Sequence, residues 1–364
     1  MSNRNPDTDF VLPVAAIDQG NFATKIAPGR DEHGSIEVIS FPSHLASIPG
    51  PRLIEMPAGD CPTGVIVSVD NAWYYSGEDV LDTFRTPPQR KVDAQWITSA
   101  DYKGLFQASL AHIARHHRIV RRMVIRVLVL GLPFSSFSAH AGTLVRMACG
   151  VHSVQGVDGP IEIRVEHVIV VAQPQGAMYL AAVKRGAAAR EMNIVTTDMG
   201  GGTHDWLYGR GLKLTQDRCG TTPSGTLALA EAAARVIDPK LVNNPLALER
   251  IDTALRCNKG SVRLNATTIS LDQCWPAIDK VLDDTWTQLN KAVDNWVAVD
   301  LIHVAGGGVG PTMRMLNRHL AKLNQNFLSV IEQAPDARTA NVRGFFVIGE
   351  TQVALSPSPR TFRV

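Results

Sequence analysis

Apolar residues fall in short runs along this chain, and their spacing predicts strands and helices in alternation. "VLPVAAID" reads as a strand ending at Asp18. "NFATKIA" reads as its hairpin partner, with Gly20 and Asn21 in the turn. "SIEVISF" predicts a strand that stops at Pro42, and the Pro- and Gly-rich stretch 48–64 predicts a surface loop. "GVIVSVDNAWYYSGEDV" places Asp70-Asn71 between two β-rich runs, the pattern of a second hairpin. Leu105, Leu110 and Ile113 sit at helical spacing within 100–118. "MVIRVLVLGLP" is a continuous apolar run of the kind a central strand shows, ending at Gly131-Leu132-Pro133. A helix over 135–149 follows, then a long strand that reaches Gln173, then the Ala-rich helix "AMYLAAVKRGAAAREM".

The second half repeats the alternation. "NIVTTDMGGGTHDWLYGRGLKL" reads as strand, Gly turn, strand, Gly turn, strand. Helices are predicted over 224–237 and 276–298. "LIHVAGGGVGP" is an apolar strand ending in three glycines, followed by a helix carrying Met313, Leu316 and Leu320. "RGFFVIGE" reads as an apolar closing strand before a Ser/Pro-rich tail.

One internal echo stands out. "AAIDQGNFATKI" and "VTTDMGGGTHDW" share an apolar strand, an Asp at its end, a Gly two residues later and a returning strand. Asp18 and Asp198 lie 180 positions apart, about half the chain, so two similarly built halves are expected rather than a short-period repeat. Two facing hairpins would make a cleft, a common place for a ligand.

These turns suit a nucleoside triphosphate. Glycines let backbone N–H groups approach an anion closely and form a nest for it. "DQGN" and "DMGGGT" would supply such donors, and Lys25 on the first returning strand would neutralise a phosphate. A Mg²⁺ ion bound to phosphate keeps several waters and wants carboxylates near enough to hold them, which Asp18 and Asp198 would do. "GGGVG" at 306–310 would lay its backbone against a nucleoside. Two other phosphate motifs are absent: there is no G-x-x-x-x-G-K-[ST], and "GGGVGP" does not satisfy G-x-G-x-x-G.

Composition narrows the class. Hydrophobic residues make up 45% and charged residues 19%, the balance of a globular protein. A net charge of +2 is too even for a nucleic-acid footprint spread over the surface. The five cysteines form no C-x-x-C pair, which argues against a zinc site or disulfide framework and fits a cytoplasmic protein. "MVIRVLVLGL" is interrupted by Arg126 and too short to span a bilayer. The start "MSNRNPDTDF" shows no secretory signal.

The chain resembles the actin-like ATPases, and within them the bacterial plasmid-segregation actins of the ParM/StbA type. "DQGNFATK" looks like their first phosphate loop, "DMGGGTHD" like the second and "VAGGGVG" like the adenosine loop. "LGLP" at 130–133 and "RTANVRGFFVIGE" resemble segments of the plasmid actins. The resemblance implies an α/β actin-like fold of two similar domains, each a mixed sheet flanked by helices, with the nucleotide between them. Residues 1–181 and 338–364 would form domain I, and 182–337 domain II. It further implies ATP or GTP with Mg²⁺, slow assembly-stimulated hydrolysis, filament formation and segregation of plasmid DNA. DNA would be bound indirectly through a centromere-binding adaptor of the ParR type, without a membrane. Asp18 and Asp198 would hold the hydrated metal. Asp198 and Gln173 would order the attacking water. Gly20, Asn21, Lys25, Gly200, Gly201, Gly202 and Thr203 would bind phosphate, and Gly306, Gly307 and Gly308 the nucleoside. Gln173 stands where many bacterial members have Glu; a Gln amide orients water without acting as a base. The competing expectation is a small-molecule phosphotransferase of the same superfamily that does not polymerise.

Several residues have plainer readings. His204 on the returning strand either touches phosphate or points away from it. Asp205 either joins the metal's outer shell or is a satisfied strand-end carboxylate. His112 and His116 have the spacing of a metal pair, but no acidic residue accompanies them, so a solvated helix face is expected. The basic stretch 116–126 reads as the exposed end of a helix before a buried strand.

Overall fold

The computed structural model describes residues 9–51, 63–84, 96–156 and 159–355. The expected N-terminal tail up to residue 8, the loop residues 52–62 and the Ser/Pro tail from 356 lie outside the described residues. The chain forms two compact units: Met1–Leu132, Ser136–Val171 and Phe345–Val364 in one, Pro133–Ser135 and Ala172–Gly344 in the other.

In the first unit β1 (Phe10–Gln19), β2 (Ala23–Ala27) and β3 (Ile39–Pro42) pair antiparallel in sequence. The expected strand "SIEVISF" is therefore shorter, with Ile36 in an isolated bridge to Arg30. A small sheet follows from β4 (Ala46–Ile48), β5 (Val65–Val69) and β6 (Ala72–Ser76), ordered β4-β6-β5. Its hairpin turns at Asp70 and Asn71, both with positive φ, as the Asp-Asn pair predicts. β7 (Arg122–Leu132), β8 (Gly150–Gly156) and β9 (Gly159–Ala172) complete a six-stranded sheet in the order β3-β2-β1-β7-β9-β8. β1 and β7 run parallel at its centre, which is why both read as near-continuous apolar runs. The helix Ala100–His116 buries Leu105, Leu110 and Ile113 in this unit's core, and Ser99 caps it by accepting from the Tyr102 amide at 3.1 Å.

In the second unit β10 (Asn193–Met199), β11 (His204–Arg210) and β12 (Lys213–Leu214) form an antiparallel meander, with β13 (Gly220–Thr222) also on β11. β14 (Ser261–Leu264) and β15 (Thr267–Ser270) make a separate hairpin. β16 (Leu301–Ala305) and β17 (Ile331–Gln333) extend the main sheet in parallel, giving the order β12-β11-β10-β16-β17. The helices Thr226–Ile237, Pro245–Arg256, Trp275–Val293 and Val309–Leu323 pack their apolar faces on it. Residues 276–298 are not one helix: the chain breaks at Asp294 with φ 60° and resumes as a short 3-10 turn at Trp296–Ala298.

The two main sheets share a plan. A strand ending in Asp pairs antiparallel with the strand after it and parallel with one from later in the chain, β1 with β2 and β7, β10 with β11 and β16.

One expectation fails. "RGFFVIGE" is not a strand but part of the helix Ala340–Leu355. Its buried positions 341, 342, 345, 346 and 349 repeat at helical spacing. A Cβ on Gly344 would lie 2.0 Å from the Gly176 carbonyl oxygen, so the glycine is there for a close approach of this helix to the one over Gln173–Arg185. A short apolar run carries no period long enough to separate the two readings.

Candidate functional site

The first turn begins where β1 ends. Asp18 is buried, and its Oδ2 receives the Lys25 Nζ at 3.0 Å from directly across the hairpin. The Gly20 amide closes the turn on the Ala23 carbonyl at 3.2 Å, and the Ser43 hydroxyl donates to the Gly20 carbonyl at 2.5 Å. Gln19 donates to the Tyr102 carbonyl at 2.9 Å, anchoring the turn to the helix below it. Asn21 Oδ1 is buried with no hydrogen-bond partner. Lys25, expected to neutralise a phosphate, here pairs with the strand-end carboxylate, and its ammonium has two further donors for an anion.

The second turn has the same closure at the same offset: the Gly200 amide donates to the Thr203 carbonyl at 2.8 Å. Behind it starts the helix Thr226–Ile237. Thr226 and Leu227 donate to the carbonyls of Gly200 and Gly201, each at 3.0 Å, and Gly225 donates to that of Gly202 at 3.3 Å. The helix start has taken the turn's carbonyls. The amides of Gly201, Gly202 and Thr203 donate to no protein acceptor among the described residues. Consecutive N–H groups left over in such a turn form an anion nest.

Asp198 ends β10 and is 5% exposed. Asn341, at the start of the last helix, donates from Nδ2 to its Oδ2 at 2.7 Å. The third turn packs on the second: Gly308 donates to the Met199 carbonyl at 2.9 Å, and Gly306 to that of Ala337 at 2.8 Å. Gly306 has φ +91°, and a Cβ there would lie 2.1 Å from Asp198 Oδ1. Both conditions admit only glycine. At Gly307 a Cβ would meet the Arg256 guanidinium, so that cation reaches the turn's backbone with one terminal nitrogen. Asp252, fully buried, holds it through Arg256 Nε at 3.1 Å from each carboxylate oxygen. Gln173 is the first residue of its helix and is buried. Its neighbour Gln175 caps that helix, accepting from the Ala172 amide at 2.7 Å.

Within the first unit the structure brings together Asp18, Gly20, Asn21 and Lys25. Within the second it brings together Asp198, Gly200, Gly201, Gly202, Thr203, Gly306, Gly307 and Gly308. Asn341, Asp252 and Arg256 were not picked out from sequence. Asn341 lies in "RTANVRGFFVIGE", whose resemblance to a segment of the plasmid actins gives the residue no role; the Asp252–Arg256 pair is an i, i+4 couple like many on helix surfaces.

His204 is completely buried, with Nε2 bonded to the Thr197 hydroxyl, and burial lowers its pKa to about 4. It belongs to the packing under the turn. Asp205 is likewise buried, accepting from Thr203, Thr221 and Phe134. His112 is not on a solvated face as expected: it is 4% exposed and stacks on Phe41, because this side of the helix lies over β3. His116 pairs with Glu37 at 3.0 Å. Among the described residues no group of three or more His, Cys, Asp or Glu is placed to hold a metal ion. A divalent ion held mostly by phosphate oxygens and water, touching the protein through one or two carboxylates, needs no such group. The leftover amides of the second turn are chemically suited to an anion such as phosphate. No helix among the described residues is long and apolar enough to cross a membrane.

Comparisons agree with this reading of the fold. Residues 16–176 match the family described as the N-terminal domain of actin-like proteins. A search of curated proteins finds no match. Among solved structures, the actin-like protein Alp7A aligns with a TM-score of 0.71 at 16% identity, over 96% of this chain and 98% of that one. The 15-stranded ParM filament from Clostridium botulinum aligns with a TM-score of 0.67 at 18% identity, over 93% and 99%. Bacillus thuringiensis ParM with AMPPNP aligns with a TM-score of 0.61 at 18% identity, over 93% and 98%. Residues 16–176 thus match an actin-like family, and the whole chain has the actin-like fold that these solved structures share.

Proposed function

We propose that this chain is a nucleotide-dependent, filament-forming actin-like ATPase that drives plasmid DNA segregation in the manner of ParM. The observation that carries the reading is the duplicated hairpin turn: both strand-end aspartates are followed by a turn closed by the same glycine amide bond. In the second turn three further amides are left for an anion. The Bacillus thuringiensis ParM noted above is described with AMPPNP and the Clostridium botulinum ParM as a filament, which supports nucleotide binding and self-association here.

The residues divide the work as follows. Amides of Gly201, Gly202 and Thr203, with that of Asn21, hold the β- and γ-phosphates, while the Gly20 amide closes the first turn. Lys25 adds a positive charge beside Asp18. Asp18 and Asp198 accept from the waters of a phosphate-bound Mg²⁺, and that ion, when present, neutralises charge on the transferred phosphoryl group. Asn341 fixes one oxygen of Asp198 so that the other keeps a constant direction. Gln173 orients the attacking water without taking its proton, which fits slow hydrolysis stimulated by assembly. Gly306, Gly307 and Gly308 form the turn beneath the nucleoside, and the Arg256 guanidinium at Gly307 supplies a planar cation for it. The even net charge of +2 favours DNA capture through a ParR-type adaptor over direct binding, in the cytoplasm and without a membrane.

Calorimetry with Mg²⁺ and AMPPNP tests the site. Wild type is expected to bind. Asp198→Asn is expected to bind while its hydrolysis of ATP falls roughly a hundredfold or more. Unaltered turnover in Asp198→Asn would contradict the assignment.

A further inference from the structure

We infer that Asp205 is a positioning residue that ties the second glycine turn to the point where the chain passes between its two compact units, and that it is not a metal ligand. The purpose of the tie rests on the nucleotide reading above; the tie itself is a matter of geometry. The chain leaves the first unit after Leu132 and re-enters it at Ser136, with Pro133–Ser135 belonging to the second. Leu132 ends β7, and Phe134 opens the helix Phe134–Ala148. The first amides of a helix have no partner within it. Here they are held within the second unit, to which these residues belong: Phe134 donates to Asp205 Oδ1 at 3.0 Å, and Ser135 donates to Thr221 Oγ1 at 3.2 Å. The Thr221 hydroxyl in turn donates to Asp205 Oδ1 at 2.6 Å. The other oxygen, Oδ2, accepts from the Thr203 hydroxyl at 2.6 Å. One carboxylate therefore joins the last residue of the glycine turn, strand β13 and the first turn of the crossing helix.

The carboxylate is 1% exposed, with both oxygens engaged. Burial pushes its pKa up while Thr203, Thr221 and Phe134 pull against that. A hydrated ion would need lone pairs turned to water, and three of the four are turned to these donors in a carboxylate that is almost fully buried. The repeat explains why such bracing is needed. Asp205 lies directly across the hairpin from Asp198, and like charges directly opposite repel. In the first hairpin the same position holds Lys25, paired with Asp18. The second hairpin places a carboxylate there and surrounds it with donors. The seventh residue after the strand-end Asp thus charges one turn and braces the other. A shift of Thr203 on phosphate binding is transmitted through Asp205 to Phe134.

The test is amide hydrogen exchange at Phe134 and Ser135 in the full chain, without nucleotide and with Mg²⁺ and AMPPNP. Asp205→Asn keeps an acceptor oxygen for Phe134 and Thr221 and turns an amide towards the Thr203 hydroxyl. Asp205→Ala breaks the tie at its centre, and Thr221→Val breaks it by a milder route should the first variant fold poorly. Exchange is expected to be roughly tenfold or more faster in Asp205→Ala and Thr221→Val, and close to wild type in Asp205→Asn. AMPPNP is expected to slow it in wild type and Asp205→Asn but not in the other two. The Mg²⁺ concentration for half-maximal AMPPNP binding is expected to be unchanged in Asp205→Asn. A roughly tenfold higher Mg²⁺ requirement in that variant would make Asp205 a metal-shell ligand and overturn the proposal. Wild-type exchange in both breaking variants would mean that no tie exists. If wild type itself binds no AMPPNP, the proposed function fails, while exchange in the free protein still reads the tie.

Discussion

At Gly306 two constraints meet, a positive φ and a carboxylate oxygen 2.1 Å from where a side chain would begin. Gly306→Ala is therefore expected to lose roughly 1–3 kcal/mol of stability and to displace Asp198, and thermal unfolding with AMPPNP titration would measure both effects. The buried histidines give a second prediction. Burial lowers the pKa values of His204 and His303 to about 4, below the ordinary value of 6.5. The unfolded chain then binds protons first as pH falls, so their contribution is full above about 6.5 and is lost as pH drops towards 4. Each is expected to account for ~1–3 kcal/mol over that window, so unfolding temperatures from pH 7.5 to 4.5 should fall. A His303→Gln variant should show a shallower slope, and an unchanged slope would contradict the assignment. Residues of this kind were only half legible in sequence. Asp18, Asp198 and the glycines stood out because turns and strand ends leave local marks. Asn341 did not, because it meets Asp198 from 143 positions away.

Among elements, β1, β7 and β10 were legible because central strands buried on both faces read as near-continuous runs of apolar or β-branched residues. β8 was missed: "GVHSVQG" has little apolar character, and it is a strand through its pairing with β9. The last helix was misread because "GFFVIG" is apolar on every face, and tertiary packing supplied the period that the letters lacked. Gly344 shows what that packing demands. Gly344→Ala would push a methyl to 2.0 Å from the Gly176 carbonyl oxygen, so the two helices must separate. Thermal denaturation should show a loss of roughly 1–3 kcal/mol, and a neutral outcome would contradict the close approach. Capping gives a smaller effect. Asn244 accepts from the Ala247 amide at 3.1 Å at the start of the helix Pro245–Arg256, and Asn244→Ala should cost about 1 kcal/mol. Because this helix carries Asp252 and Arg256, nucleotide affinity should weaken with it.

Across the whole molecule, the halves announced by the two Asp-x-Gly hairpins are present as two sheets of the same plan, and that much was legible because each hairpin is local. The long-range pairs β1 with β7 and β10 with β16 join strands far apart in sequence, where no spacing rule reaches. The central claim is that nucleotide in these turns governs assembly. Light scattering of the purified chain with Mg²⁺ and ATP, GTP or AMPPNP, followed by negative-stain microscopy, tests it most directly. The expected result is filaments with triphosphate that last longer with AMPPNP. Tight nucleotide binding without any polymer, at concentrations well above those at which such proteins assemble, would contradict it.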